Sequence, residues 1–473
     1  MNNTIQKEKH INKKTKKTII IVSSIVVVFV ILISIAASIF LDTKNTVKNY
    51  RRNYNINEIN IATNNTFKKL NNINYPNLSE PLKSDISEQE NESYLNFVNQ
   101  TYKSLINNND DNNISYSSVN MYSLLNELYK ASSRDDLTNR FDNLLGLDEN
   151  QRITLIDKIM KANSFVLDET TGQIKNGAFF SNKYNYSTSY VDYLSDIYCE
   201  AYQLDFNKDI NKIVSWVNQA VNDDKFIDEK FLELNDETVL YLMSTLYFKN
   251  AWNSKYLNKN NIIEPFYLNA NSQVETTYMN HSYFIEEYYD YGDYISFRDY
   301  YRFGYYSITY LIPKQIEHNI YDLTKDKNIF VDDENFIIRN TSNEYNPYIA
   351  VDLTTPKFSI SKEIDFKTTL SSLGFEDIFN NGIDSFSNAF DIEKPSLINF
   401  YLQKIKQKNN IEFSEDGTII KSLSMAIIGA MSAAPITEFN TLEVKLNQPF
   451  IYIIKDINDL PIFVGHIDNP TNN

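Results

Sequence analysis

Apolar positions follow three regimes along this chain. Thr18 to Leu41 is an unbroken run of about 24 apolar or small residues, long enough to cross a bilayer core as a helix. From Asp42 to about Asn91 apolar residues thin out among Asn, Lys, Ser, Thr and Glu, with Pro76 and Pro81 and no sustained period. That predicts a mobile stalk, with an extra helix over Val47–Phe67 as the alternative. From about Ser93 the pattern becomes globular. Tyr94, Phe97, Val98, Tyr102 and Leu105 share one helical face, and Met121, Leu124, Leu125 and Leu128 share another behind Asn120, which reads as a cap. Ile213, Trp216, Val217, Ala220 and Val221 mark a third helix, and Phe366, Leu370 and Leu373 a fourth that stops at Gly374.

Strands dominate later. Thr238 to Phe248 is a long apolar strand suited to the middle of a sheet, while Tyr306, Ile308, Tyr310 and Ile312 alternate, as do Ile349, Val351 and Leu353. At the C-terminus, Val444, Leu446 and Phe450 to Ile454 form one apolar run. Asp456, Asn458 and Asp459 break it, and Pro461 to Val464 resume it, which predicts a hairpin buried on both faces. Upstream, Gly429 to Thr437 is rich in Ala, Ser and Gly and suits a surface loop. Helices first and strands later imply an α+β fold. The expected organisation is a basic cytoplasmic segment at 1–17, a transmembrane signal-anchor at 18–41, an Asn-rich stalk at 42–91 and one body at 92–473.

Charge orients the chain. Six Lys and a single Glu precede the apolar run, so the positive-inside rule keeps the N-terminus cytoplasmic and puts the body outside the cell as a single-pass membrane protein. Ala36, Ala37 and Ser38 leave the alternative of a cleaved signal peptide and secretion. The formal charge is −16, with +5 in the first 17 residues, leaving −21 for the rest, which argues against nucleic-acid binding. Cys199 is the only cysteine, so no intramolecular disulfide forms, and it reads as a small buried hydrophobe. The 34 Tyr, 29 Phe and abundant Asn and Ile suggest an AT-rich, bacterial genome. His10, His281, His318 and His466 are scattered without ligand spacing, His466 in a strand pattern as a satisfied sheet residue. No cofactor or metal is expected, and a tethered hydrolase would need a triad that these histidines do not supply.

Short motifs in order from Ser93 to Pro470 carry a resemblance to a known family. They are NISYSSVNMYSLL at Asn113–Leu125, IVSWV at Ile213–Val217, STLYFKNAW at Ser244–Trp252, TPKF at Thr355–Phe358, LGFEDIF at Leu373–Phe379 and IFVGHIDNP at Ile462–Pro470. Together they resemble the serpins. That likeness implies three β-sheets, about nine helices and an exposed reactive-centre loop held in a metastable state. It also implies a protein without catalytic residues of its own. A target protease would cut the loop and be trapped as an acyl-enzyme while the loop inserts into the main sheet. The implied hinge is Glu415, Gly417 and Thr418, followed by Ile419, Ile420, Lys421, Ser422 and Leu423 where the family usually has small residues.

Counting from the hinge places the reactive bond at Met431–Ser432, whereas counting back from Glu443 gives Glu438–Phe439. A Met431 bond would suit a serine, or alternatively a cysteine, protease with an apolar primary pocket. The sheet-opening region maps to Ser117, Asn120, Ser244, Trp252 and Gln407. There Gln407 stands for the family's histidine, Ser244 for its asparagine and Asn120 for a serine, and Ser118 stands where proline is usual. The implied protein is monomeric and bound to the membrane only through its N-terminal helix. The alternative from another class is a non-inhibitory serpin-fold surface protein acting in binding or adhesion.

Overall fold

The apolar run before Trp252 forms an inner strand of a large sheet, as its lack of charge predicts. A computed structural model describes residues 59, 61–76, 78–108, 113–167, 170–253, 261–339, 348–392, 398–420 and 441–472. Both the expected membrane span at 18–41 and the bond Met431–Ser432 lie outside these residues. Among the described residues no helix is long and apolar enough to cross a membrane. The large sheet is built from β1 (Lys68–Lys69), β2 (Thr170–Ser181), β3 (Cys199–Leu204), β4 (Leu240–Asn250), β5 (Phe358–Asp365), β6 (Lys406–Ser414) and β7 (Gly417–Ile420). Their spatial order is β1-β3-β2-β4-β7-β6-β5, and the short strand Phe165–Leu167 adds to β2.

Two further large sheets complete the body. The seven-stranded one holds the C-terminal hairpin, Phe450–Lys455 with Pro461–Ile467, in which every residue is buried. His466 sits there as a satisfied core residue, its Nδ1 3.3 Å from the Tyr102 hydroxyl. The four-stranded one pairs Thr441–Lys445, the strand after the loop, in parallel with Ile349–Pro356. A two-stranded fourth sheet joins Asn185–Tyr186 to Phe390–Asp391. Among the described residues there are nine α-helices, four of which matter below: α1 (Glu88–Asn107), α2 (Ser118–Ala131), α3 (Phe206–Ala220) and α4 (Glu229–Leu232).

Both faces of the sheet are covered at its inner strands β2, β3 and β4, which is why these carry few charges. On the inner face, Ile174, Ala178 and Phe180 of β2 join the main core with α2 and the hairpin. On the outer face, Phe179, Tyr202 and Leu204 meet Ile213, Trp216, Val217 and Ala220 of α3 in a second cluster. Gly177 lies directly under α3, where an added Cβ would come 2.9 Å from the Trp216 ring. Cys199 is buried in the inner core, as its composition-based reading expected. Asn120, expected as a cap, is the third residue inside α2. The N-cap is Ser117, which makes no side-chain capping bond.

The second half of the expected stalk differs from the sequence reading. Residues 61–76 and 78–91 run along the body instead of standing free of it. Phe67 is fully buried and stacks on Tyr202 with centroids 5.1 Å apart, and Lys68–Lys69 pair with β3. The Leu70 N–H donates to the Ala201 carbonyl at 2.8 Å, and Leu78 bridges to Phe165. The alternative helix up to Phe67 is absent over 61–67. Asparagine-rich composition misleads here because the amides satisfy backbone groups: Asn64 Oδ1 accepts from the N–H groups of Thr66 and Phe67, and Asn71 Oδ1 from that of Ala201. A few well-spaced apolar residues then suffice to dock the segment. Phe67→Ala should lower the unfolding free energy by about 3 kcal/mol in urea titration, whereas a free stalk would give no change.

Candidate functional site: a slot in the large sheet

Strand pairing in the large sheet fails at one place. β4 pairs with β2 along almost its whole length and β6 with β5, but the described pairings of β4 and β6 toward each other run only through β7. β7 is four residues long. Thr418 faces Asn250 and Phe413, Ile419 faces Lys249 and Glu412, and Ile420 faces Phe248. Beyond Ile420 the two long strands enclose a cavity of about 620 Å³ lined by Leu240 to Leu246 on one rim and Lys404 to Asn410 on the other, with Asn120, Leu124 and Leu128 of α2 at its floor. Leu240 to Ser244 are only half-buried, unlike Thr245 to Phe248. Along this stretch no strand pairing of either rim toward the other is seen among the described residues.

The upper end of the slot is closed by the hinge. Gly417 opens β7 at φ 136°, where a Cβ would lie 2.1 Å from the Asn250 carbonyl oxygen, so only glycine fits. Thr418 is fully buried and its Oγ1 accepts from the Tyr301 hydroxyl at 2.7 Å. Trp252 stacks on Tyr301 with centroids 4.8 Å apart, meets Phe413 edge-on at 4.9 Å, and donates from its indole N–H to the Ser414 carbonyl at 2.8 Å. Glu415 lies in the turn before β7, between Lys357 Nζ at 2.8 Å and the Asn261 amide. Burial opposes its ionisation, but hydrogen bonds from Lys357 and Asn261 outweigh that and hold the carboxyl below its ordinary range.

Halfway down, buried polar groups tie the inner face of β6 to the start of α2. Gln407 accepts at Oε1 from the Ser117 N–H (2.7 Å) and donates from Nε2 to the Ser117 carbonyl (3.0 Å), so its amide pairs with both backbone groups of one residue. Asn409 Nδ2 donates to the same Gln407 oxygen at 2.8 Å and to the Ser115 carbonyl. Ser117 Oγ donates to the Ile462 carbonyl at 3.4 Å, and Ser118 Oγ to that of Pro461 at 2.7 Å. Asn120 and Ser244 also line the slot, but Asn120 Oδ1 and Ser244 Oγ are buried with no hydrogen-bond partner among the described residues.

The structure thus brings Glu415, Gly417, Thr418 and Trp252 together at one end of the slot, and Ser117 and Gln407, with Asn120 and Ser244 on its lining, further along. Met431 and Ser432 lie outside the described residues. Sequence reasoning missed Tyr301, Asn261, Lys357 and Asn409. For Asn409 a signal existed: Gln407, Asn409, Ile411 and Phe413 share one strand face, and polar residues on a face that ends in Ile and Phe mark buried hydrogen bonds. Tyr301 carries no such signal in a chain crowded with tyrosine.

Two outcomes follow for the hinge. Gly417→Ala should cost about 1–3 kcal/mol of stability in chemical denaturation, because the Asn250 backbone must give way. Glu415 has a lowered folded-state pKa, so its contribution is complete above the ordinary glutamate value near ~4.3 and is lost as pH falls through the lowered value. The stability difference between the native chain and Glu415→Gln should therefore be constant at neutral pH and vanish in acid. A difference that persists unchanged into acid would exclude this role.

Comparison with known proteins agrees with this architecture. Residues 92–470 match the family model described as serpin (serine protease inhibitor). Serpin B10 of Homo sapiens is 26% identical over 331 residues, covering 67% of this chain and 77% of that one. Plasminogen activator inhibitor 1 of Sus scrofa is 29% identical over 119 residues, covering 25% and 27%. Among solved structures, the native state of a thermophilic serpin, Tengpin, has a TM-score of 0.66 at 21% identity, with 84% of this chain and 97% of that one covered. Cleaved Serpin 42Da has a TM-score of 0.65 at 18% identity, covering 80% and 98%. With the slot, the hinge strand and the buried C-terminal hairpin in place within the matched residues, the chain belongs to the serpin family.

Proposed function

We propose that this protein inhibits proteases as a suicide substrate, the loop between β7 and Thr441 serving as bait and the slot as its destination. The observation that carries the reading is the open slot with the hinge already seated at its upper end in strand register. The registers of β7 against β4 and β6, continued unchanged, set Ser422 opposite Leu246 and Asn409, and Ser424 opposite Ser244 and Gln407. Thr418 faces inward, so Ile420, Ser422, Ser424, Ala426 and Ile428 would follow it onto the inner face. That face receives small hydroxyl residues where Gln407, Asn409 and Ser244 are polar, and apolar ones at its ends. Ile419, Lys421, Leu423, Met425 and Ile427 would face α3, and β-branched residues favour the strand once it forms.

Each residue added to the slot would supply backbone partners to both rims and cover half-buried apolar side chains, so insertion is downhill and the open form persists for kinetic reasons. The bond is Met431–Ser432 on this reading, because insertion geometry fixes the hinge-side count, and the target is a protease with an apolar primary pocket. Residues 18–41 would hold the inhibitor on the outer surface of a bacterial cell membrane, or export it if cleaved.

Incubating the full-length chain with chymotrypsin, elastase and subtilisin should give a complex that survives denaturing gels and a released peptide beginning at Ser432. Ser424→Arg, which places a long charged side chain between Ser244 and Gln407, should convert the inhibitor into a plain substrate, with loop cleavage retained and the complex lost. Cleavage without any complex by the native chain would reject inhibition and favour a binding role for the same fold.

A further inference from the structure

Away from the slot, three aromatic rings converge on one lysine. The hairpin that joins Glu287–Asp290 to Tyr294–Tyr300 in the seven-stranded sheet turns tightly over residues 291–294. The Tyr291 N–H donates to the Tyr294 carbonyl at 3.0 Å, and the chain reverses through Gly292 at φ 89°, whose N–H donates to Asp290 Oδ1 at 3.0 Å. This turn brings the two tyrosine rings face to face, with centroids 4.6 Å apart and planes 16° from parallel. Phe336, at the end of the single turn Glu334–Phe336, leans on Tyr291 at 5.2 Å. Lys327 arrives from the turn after the helix Ile320–Thr324, its backbone N–H donating to the Thr324 carbonyl at 3.0 Å. Its Nζ lies 4.9 Å from the centre of the Tyr291 ring, 5.2 Å from that of Phe336 and 5.7 Å from that of Tyr294. Tyr294 is buried, Tyr291 half-buried, and Phe336 and Lys327 exposed, so the group is open to solvent on one side.

We propose that Tyr291, Tyr294 and Phe336 form a cage for a small quaternary ammonium cation of the choline class, with Lys327 as a resident that the ligand displaces. Three ring faces turned on one point attract positive charge, and the lysine already there shows that the site accepts it. Among the described residues Lys327 forms no ion pair, so its ammonium meets the cage through ring faces alone. A primary ammonium carries three N–H donors that rings satisfy poorly, whereas a quaternary one carries none. The distances agree with the larger cation. A methyl carbon about 1.5 Å from its nitrogen, packed about 3.5–4 Å from ring carbons, puts that nitrogen roughly 5 Å from each ring, where Lys327 Nζ now sits. A bare ammonium can come far closer, as Lys175 does to the Tyr75 ring at 3.2 Å. Burial raises the Tyr291 phenol above its ordinary range and the charges of Asp332 and Asp333 add to that, so the rings stay neutral in a negative local field. Asp332 is answered by Arg298 at 3.4 Å, but Asp333 accepts only from the Asn335 N–H and amide. That field favours a cation without an attached anion. The long stem of Lys327 lets its head move into water when a guest enters.

The cage belongs to a different sheet from the slot, and its test stands apart from inhibition. Saturation-transfer NMR on the methyl protons of choline, with the full-length chain held in a maltoside detergent, should show choline bound. Lys327→Ala removes the competing head and should tighten binding about tenfold at an unchanged melting temperature. Phe336→Leu, at an exposed ring, should weaken it by a similar factor. The neutral isostere 3,3-dimethylbutan-1-ol, which has choline's shape without its charge, should give no transfer, and glycerophosphocholine should bind more weakly than choline because its phosphate meets Asp333. No transfer to choline with either the native chain or Lys327→Ala, or equal transfer to choline and its neutral isostere, overturns the cage. A loss of stability in Lys327→Ala without a gain in choline affinity would make Lys327 a structural residue and overturn its displacement. Tighter binding of glycerophosphocholine than of choline would overturn the assignment to a free cation and make a lipid headgroup the ligand.

Discussion

The rest of the structure depends on one place in a hydrogen-bond ladder where, among the described residues, two long strands are joined only through a short one. β4 and β6 belong to the same sheet, and among the described residues the pairings that join them run through the four residues of β7. In an ordinary sheet such facing edges would close on each other, because unpaired backbone groups and half-buried Leu and Met side chains both gain from contact. Here they are held apart by what lies above and below. Trp252, Tyr301 and Phe413 wedge the upper end around the hinge, and the Gln407 and Asn409 amides commit the inner face of β6 to the start of α2. That pairing, with β7 seated at one end of it, is what the proposed insertion would use.

On the proposed reading, two places would control insertion. The hinge fixes where entry starts: glycine is required at 417 by the Asn250 carbonyl, and Thr418 is locked to Tyr301. The polar groups at mid-slot decide whether the sheet can part, because each buried amide must keep a partner through the change. Gln407 meets that demand differently from a histidine. Its amide offers a donor and an acceptor at every accessible pH, so this closure carries no proton-linked step. On this account, bulky Ile419 and Leu423 are tolerable in the hinge region because the slot is already open beside them.

Much of the fold was legible from periodicity. The α2 face, the long inner strand before Trp252 and the doubly buried C-terminal hairpin each stood out because both period and charge agreed. Glu415, Gly417 and Thr418, expected together from the sequence, lie together at the start of β7. Three things were not legible. The docked stretch around Phe67 was hidden because Asn side chains share with a two-residue strand the work of satisfying its backbone, and composition reads so many Asn as disorder. Asn120 looked like a cap because capping and interior positions share the same residue type. The partners of the hinge, Tyr301, Lys357 and Asn261, come from distant segments, and only the folded sheets bring them to Thr418 and Glu415.

The most direct test of the slot as the loop's destination is amide hydrogen exchange of residues 241–247 and 405–411, before and after a single cut in the loop. The account predicts that amides facing the slot exchange readily in the intact chain and become strongly protected once the loop is cut, as the new strand pairs with both rims. Unchanged exchange on both rims after cleavage would show that the loop does not enter the sheet, and would contradict the account at its centre.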